Sequence, residues 1–197
     1  MSRVTLHTLH SAPEAARPFL ENALKNSGYI PNLLGILANA PAALETYVTV
    51  SGLNAKADLS LAEREVVQLI AATTHGCDFC VAGHTAVALN KAKLPPEVVS
   101  ALREKATVPV EKLETLAAFA REVIATRGKV SDQTFNQFKA AGYTELHGIE
   151  ADDDVCAMQV AGFARYQIAE RLLAVRLYGG ANHGERDAVM TDVLSPF

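Results

Sequence analysis

Two thiols and an imidazole lie in one short segment of the sequence, Cys77-Asp-Phe-Cys80-Val-Ala-Gly-His84. Cys80 and His84 are four residues apart, so on a helix the imidazole can take up a thiol proton directly or through one water. Cys77 and Cys80 are separated by two residues across an expected helix start, a spacing that lets a disulfide form without unfolding. A helix N-terminus also stabilises a thiolate through its dipole and free N–H groups. The spacing therefore indicates a dithiol that can be oxidised.

Two acidic residues precede this segment, and their positions predict different roles. Ser60-Leu-Ala-Glu63 fits a capping box, in which Ser60 accepts a hydrogen bond from the backbone N–H of Glu63 and the Glu63 carboxylate reaches back to Ser60. On the helix that this box begins, Glu65 falls at the edge of the apolar stripe. A carboxylate partly removed from water can accept a proton near neutral pH. We therefore expect Glu65 to act as a general base on the thiol and the imidazole, and Glu63 to be structural.

The elements that must position these residues are all expected to be helices. Proline and glycine divide the sequence into segments of helical length, and no alternating run of β-branched and aromatic residues demands a strand. The sequence predicts one domain over residues 1–197, with a core motif at about 60–91 and C-terminal helices at about 110–178. The expected helices cover approximately residues 15–26, 31–39, 41–53, 61–74, 78–91, 96–105, 110–127, 132–142 and 152–178.

The acidic run Asp152-Asp153-Asp154 is expected to begin the last helix, because the macrodipole favours negative charge at a helix N-terminus. An aspartate-lined metal site is the less favoured interpretation, since three adjacent side chains point in different directions around a helix. Cys156, on the same helix, is expected to lie in the core. A substrate-facing role for Tyr166 is a further hypothesis.

Composition excludes several classes of protein. The chain has 197 residues, of which 49% are hydrophobic and 20% charged, which excludes a disordered chain. It has no apolar run long enough to span a membrane. A net charge of −4 and an isoelectric point near 5.9, with scattered basic residues, make nucleic acid an unexpected partner. The first ten residues lack a secretory signal, so a cytoplasmic location is expected, where three cysteines do not form a disulfide framework.

The spacing of Glu65, Cys77, Cys80 and His84 resembles that of the AhpD-like alkylhydroperoxidases of the carboxymuconolactone decarboxylase superfamily. The segment 28–41 is similar to the peroxidase-related branch of that superfamily. The resemblance extends over roughly residues 15–125. It implies an all-α, multi-helical AhpD-like bundle that works without a cofactor or metal and assembles as a homo-trimer or homo-hexamer.

The resemblance also implies roles for the site residues. Cys80 is expected to attack an organic hydroperoxide or hydrogen peroxide, Cys77 to resolve the resulting sulfenic acid, and His84 with Glu65 to relay the proton of Cys80. A dithiol donor, such as a lipoylated or thioredoxin-like protein, is expected to reduce the disulfide. Two residues depart from the family pattern: His75 replaces an asparagine and Phe79 replaces a histidine. A shorter relay is therefore expected here.

Two alternatives remain open on the residues alone. One is a lactone decarboxylase that uses His84 as acid or base, although decarboxylation needs no dithiol. The other is a non-catalytic helical module that senses redox state or binds zinc, with His75 or a distant residue completing a tetrahedral site. Structural zinc sites usually pair two Cys-x-x-Cys knuckles, and the sequence has one.

Overall fold

The computed structural model describes residues 3–160 of the chain and the side chains of residues 3–155. In this range the protein is all-helical and contains no strand, which confirms the predicted fold class. A short 3₁₀ turn at Glu14–Ala16 is followed by α-helices α1 (Arg17–Ser27), α2 (Asn32–Leu37), α3 (Pro41–Asn54), α4 (Leu61–Thr74), α5 (Asp78–Asn90), α6 (Pro96–Glu104), α7 (Glu111–Thr126), α8 (Asp132–Ala140) and α9 (Glu145–Val160). None of the described helices is long and apolar enough to cross a bilayer.

Contacts divide the chain into two compact units, one that includes residues 3–52 and one that spans Leu53–Gln159. The single domain expected over residues 1–197 stays a prediction. In the first unit the N-terminal segment crosses α2 at Gly35, whose carbonyl accepts a hydrogen bond from the backbone N–H of His7 at 3.0 Å. A Cβ at Gly35 would lie 2.7 Å from the carbonyl oxygen of His7, so only glycine permits this close approach.

The second unit is built around α4, which packs against α5, α6 and α7. Its apolar face is fully buried because apolar residues recur at helical spacing from Val66 to Ile70. The same core extends to Phe138 of α8, whose ring stacks on Phe119 of α7 and on Tyr143, with centroids 4.3 and 4.5 Å apart. Helix α4 is thus packed on several sides, which fixes the direction in which its buried acidic side chain, Glu65, projects.

The predicted capping box at the start of α4 is confirmed. The Ser60 hydroxyl accepts from the backbone N–H of Glu63 at 3.3 Å, and the Glu63 carboxylate accepts from the backbone N–H of Ser60 at 3.0 Å. The carboxylate also pairs with Lys112 of α7 at 3.0 Å. Burial opposes ionisation of Glu63, but the hydrogen bonds from Ser60 and Lys112 outweigh it and hold the pKa below its usual value. Through these contacts Glu63 caps α4 and links it to α7, which is the structural role expected from the sequence.

The predicted start of the last helix is wrong. Helix α9 begins at Glu145, not within the acidic run, and Thr144 lies before it with its hydroxyl accepting from the backbone N–H of His147 at 3.5 Å. The backbone N–H of Thr144 donates to Nδ1 of His147 at 3.0 Å. The helix begins after a threonine whose hydroxyl accepts from a free N–H group of the first turn. The acidic run does not mark the start of the helix. The run 152–154 lies well inside the helix, with Asp154 buried. The predicted helix end, Tyr166 and the side chain of Cys156 lie outside the described residues.

Candidate active site

The chain breaks sharply between α4 and α5, and this break places the two cysteines. His75 caps the end of α4, and Gly76 has φ +65°, a conformation that glycine adopts without strain. Cys77 is the N-cap of α5, and its sulfur accepts a hydrogen bond from the backbone N–H of Cys80 at 3.3 Å. The predicted break at residues 75–77 is therefore what puts both sulfurs at a helix N-terminus.

Cys77 and Cys80 are joined by a disulfide, with their Cα atoms 5.3 Å apart. Both residues are buried, with 8% and 6% of their surface exposed. They form a small apolar cluster with Ala71 and Ala72 of α4. The side chains that pack against this cluster are partly exposed and apolar, namely Phe79, Val81 and Ile124. The sulfurs therefore lie behind a thin apolar wall rather than on an open surface.

The Glu65 carboxylate meets the imidazole of His84 across the α4–α5 interface. Oε2 of Glu65 lies 2.9 Å from Nδ1 of His84. The Glu65 side chain is 7% exposed and that of His84 is 28% exposed. Opposite an ionised carboxylate, which only accepts hydrogen bonds, the Nδ1 of a neutral imidazole donates and its Nε2 can accept a proton. His84 follows Cys80 by one helical turn on α5.

The four residues singled out from the sequence are thus placed around one break in the chain. The disulfide, for which the spacing is suited, is present, and Glu65 and His84 form a pair that links α4 to α5. The remaining histidine of this segment, His75, is exposed at the end of α4. Two sulfurs joined in a disulfide are not thiolate ligands. Within the described residues no group of three or more histidine, cysteine, aspartate or glutamate side chains is arranged to hold a metal ion.

A cavity of about 390 Å³ adjoins the break, between the end of α4, the start of α5 and the C-terminal end of α6. Its wall includes Gly76, Asp78 and Val81 beside the cysteine pair, and Arg103 of α6 with Lys105, which follows the end of that helix. Val81 also packs against the apolar cluster that holds both sulfurs. A larger cavity, of about 970 Å³, lies along α7 and α8 and is lined by none of the four site residues. Neither of these two cavities is lined by Cys77 or Cys80 themselves, but the smaller one adjoins them through Gly76, Asp78 and Val81.

One buried acid near the site was missed by the sequence reasoning. Asp154 of α9 is 3% exposed. Its Oδ1 atom accepts hydrogen bonds from the side-chain amides of Asn54 at 3.0 Å and of Gln68 at 3.2 Å. The available signal was periodicity: if the helix is started at Glu145, Asp154 shares a face with the buried residue Ala151. Assigning the acidic run to a helix start concealed that position.

Together, the fold and the site define an all-helical protein with a buried disulfide beside a carboxylate–imidazole pair. Residues 41–122 match the model of the carboxymuconolactone decarboxylase family. The match spans less than half of the chain but includes Glu65, Cys77, Cys80 and His84, and it agrees with the resemblance to the AhpD-like superfamily. No curated protein sequence matches the chain.

Solved structures share the fold at low sequence identity. A structure described as an alkylhydroperoxidase AhpD core, an uncharacterized peroxidase-related protein from Ralstonia eutropha JMP134, is 21% identical with a TM-score of 0.71, covering 82% of this chain and 86% of that one. The debrominase Bmp8, solved as a C82A variant with 2,3,4-tribromopyrrole, is 16% identical with a TM-score of 0.67 and is covered over 98% of both chains. A peroxidase-related protein from Silicibacter sp. TM1040 is 17% identical with a TM-score of 0.62, covering 88% of this chain and 87% of that one.

Proposed function

We propose that the protein is a thiol-dependent peroxidase that reduces organic hydroperoxides or hydrogen peroxide through the Cys77–Cys80 pair. The observation that carries the proposal is the disulfide at the start of α5 together with the Glu65–His84 contact at 2.9 Å. A two-electron donor and a proton relay are what reduction of a peroxide O–O bond requires. The match of residues 41–122 to the carboxymuconolactone decarboxylase family model is consistent with this reaction.

The relay begins from the reduced protein, in which both cysteines are thiols. The hydrogen bond to Glu65 leaves Nε2 of His84 as the basic nitrogen. Nε2 takes the proton of the Cys80 thiol, directly or through one water, and the Glu65 carboxylate stabilises the imidazolium that forms. Because Glu65 is buried, its charge acts on the imidazole with little screening by water.

The Cys80 thiolate then attacks the terminal oxygen of the hydroperoxide. The O–O bond breaks, the alkoxide takes the proton from His84, and Cys80 is left as a sulfenic acid. The sulfur of Cys77 attacks that of Cys80, a disulfide forms, and the hydroxyl group leaves as water with the thiol proton of Cys77. In sum, one hydroperoxide and two thiols give one alcohol, one water and one disulfide, so atoms and electrons balance.

The return to the dithiol needs an external dithiol, which we propose is a lipoylated or thioredoxin-like protein. The sulfur of Cys77 lies at the N-cap of α5 and accepts from the backbone N–H of Cys80. Negative charge on Cys77 is therefore stabilised by the helix N-terminus. A thiolate that is more stable is a better leaving group in thiol–disulfide exchange. This supports attack of the donor on Cys80, with Cys77 leaving.

The wall around the sulfurs supports organic hydroperoxides as the preferred substrates. Phe79, Val81 and Ile124 are apolar and partly exposed beside the buried pair. An alkyl or aryl group bound against them buries apolar surface, which stabilises the bound state by roughly 25 cal/mol per Å². Hydrogen peroxide makes no such contact.

We also propose that the protein forms a homo-trimer or homo-hexamer. Helix α5 is apolar along most of its length, yet only Cys80 and Ala88 of this helix are buried in the single chain. Two large apolar side chains of α9 are also exposed, Leu146 at 48% and Ile149 at 64%. Apolar surface of this kind is typical of faces that are covered by association.

Thiol titration tests the proposed function. The reduced protein is treated with a slight excess of cumene hydroperoxide and its free thiols are counted. We expect the wild type to lose two thiols per chain, Cys80→Ser to lose none rapidly, and the control Cys156→Ala still to lose two. Survival of both thiols in the wild type would contradict the proposal, and would favour the lyase or the non-catalytic module.

A second candidate reaction is reductive dehalogenation of a bromopyrrole. The apolar wall beside the dithiol suits a flat aromatic substrate, and the similar fold of a debrominase extends over the whole chain. One carbon–bromine bond and two thiols would give a carbon–hydrogen bond, hydrogen bromide and the disulfide. Bromide release from 2,3,4-tribromopyrrole by the reduced protein, without turnover of cumene hydroperoxide, would favour this reaction over the peroxidase.

A further inference from the structure

A second buried carboxyl, that of Asp154, lies close to Glu65 and takes no part in the proposed relay. Oδ1 of Asp154 accepts from the amides of Asn54 and Gln68, whereas its Oδ2 is buried and has no hydrogen-bond partner among the described residues. A buried oxygen without a donor disfavours the ionised form. Burial is accordingly the main cause that raises the pKa of Asp154 to about 6.

The charges that act on Asp154 from the described elements come from α4. Arg64 favours the carboxylate and Glu65 opposes it. Arg64 makes no ion pair within the described residues. Its Nη1 donates to the carbonyl of Asn54 at 3.1 Å, and its buried Nε has no hydrogen-bond partner among those residues. On α9 itself, the Glu150 carboxylate accepts from the backbone of the α3–α4 loop.

One of the two residues that hold Asp154 lies on the same turn of α4 as the residue that holds His84. Gln68 binds Asp154, and Glu65, three positions earlier, binds His84. The side chains of residues three apart on a helix are neighbours. Two carboxyls in this arrangement interact through a medium of low polarity, and the charge of Glu65 accordingly opposes ionisation of Asp154.

We propose that Asp154 is a positioning residue of the relay, whose ionised carboxylate places a second buried negative charge behind Glu65 and so strengthens the hold of the Glu65–His84 pair on the proton that leaves Cys80. The inference rests on the relay of the proposed function. When Asp154 binds a proton, this second charge disappears and the pair accepts the proton of Cys80 less readily. The relay thereby gains a pH dependence from a group that touches neither the thiol nor the imidazole.

The pH profile of Cys80 alkylation tests the inference without any peroxide. In the reduced Cys77→Ser background, the rate at which iodoacetamide modifies Cys80 is followed by peptide mass as the pH is varied. Asp154→Asn keeps the shape and the Oδ1 acceptor but removes the charge. Asp153→Asn is the matched control, because Asp153 carries the same charge on the same helix but is exposed.

Without the charge of Asp154 the Glu65–His84 pair takes the proton of Cys80 less readily, so a higher pH is needed to form the thiolate. We therefore expect Asp154→Asn to raise the midpoint of the profile by about half to one pH unit, and Asp153→Asn to leave it unchanged. Gln68→Met, which removes one donor to the carboxylate, should move the midpoint in the same direction and provides the test if Asp154→Asn does not fold. An unchanged midpoint in the folded variants, or an equal shift in Asp153→Asn, would overturn the inference. The proposed function fails separately, if cumene hydroperoxide leaves the wild-type thiols intact.

Discussion

The contact between Glu65 and His84 is the residue-scale feature on which the proposed chemistry depends. Glu65 is buried among apolar neighbours of α4, a position that is costly for a carboxylate unless it has a partner. His84 is that partner, at 2.9 Å. The contact orients the imidazole of His84, and in the proposed reaction the other nitrogen of that imidazole acts as the base.

Glu65→Gln tests this role. Glutamine can still accept the Nδ1 hydrogen bond, but it removes the negative charge that stabilises the imidazolium. We expect the rate of Cys80 oxidation by cumene hydroperoxide to fall about 100-fold, within the range that general acid–base catalysis supplies. Single-turnover kinetics of disulfide formation give this rate.

The matched control for Glu65 is Glu63→Gln, two residues earlier on the same helix. This change weakens the capping box and the Lys112 pair, and should cost about 1 kcal/mol of stability while leaving the oxidation rate unchanged. An equal loss of rate in both variants would show that the effect comes from α4 as a whole and not from the charge of Glu65.

At the scale of the element, helix α9 carries an acid in a place where burial makes ionisation costly. The folded protein raises the pKa of Asp154 to about 6, mainly through burial, above its usual value of 3.8. Because folding raises the pKa of Asp154, its contribution to the free energy of unfolding is fully present only below the unfolded-state value of 3.8. That contribution is lost as the pH rises through about 6.

Asp154→Asn should therefore match the wild type in stability near pH 4 and exceed it above pH 6. From a shift of about two pKa units, the difference is expected to reach about 2 to 3 kcal/mol at neutral pH. Urea unfolding at several pH values measures it. A difference in free energy of unfolding that stays constant with pH would show that Asp154 does not titrate in this range.

The helices could largely be predicted from the sequence because their ends are marked by local chemistry. The capping box at Ser60 and the glycine at Gly76 fix the bounds of α4, and prolines begin α3 and α6. The start of α9 was missed because its signal, Thr144, is a single weak cap, while the acidic run downstream was a stronger but misleading one.

The candidate site could be predicted only in part, for a physical reason. Residues on one helix turn are placed by their spacing, so the closeness of Cys77 and Cys80 followed from the sequence. The contact of Glu65 with His84 depends on how α4 packs against α5, and the cluster at Asp154 depends on contacts across about ninety residues. Spacing does not determine contacts of this kind.

At the scale of the whole molecule, we expect copies of the chain to associate. The apolar face of α5 and the exposed residues of α9 favour association in solution, and the proposed order, a homo-trimer or homo-hexamer, follows from the resemblance to the AhpD-like superfamily. Sedimentation velocity of the reduced and the oxidised protein measures this directly. A monomer at all concentrations would contradict the expectation, and would leave the peroxidase chemistry to be performed by the single chain.

The measurement that tests the central claim most directly is the mass of the trapped sulfenic acid intermediate. The Cys77→Ser variant, reduced and treated with cumene hydroperoxide and dimedone, has no resolving thiol, so the sulfenic acid at Cys80 should be trapped as a dimedone adduct on the peptide carrying that residue. The Cys80→Ser variant should form no rapid adduct at Cys77. Absence of the adduct at Cys80, or its rapid formation at Cys77 instead, would contradict the assigned roles of the two cysteines.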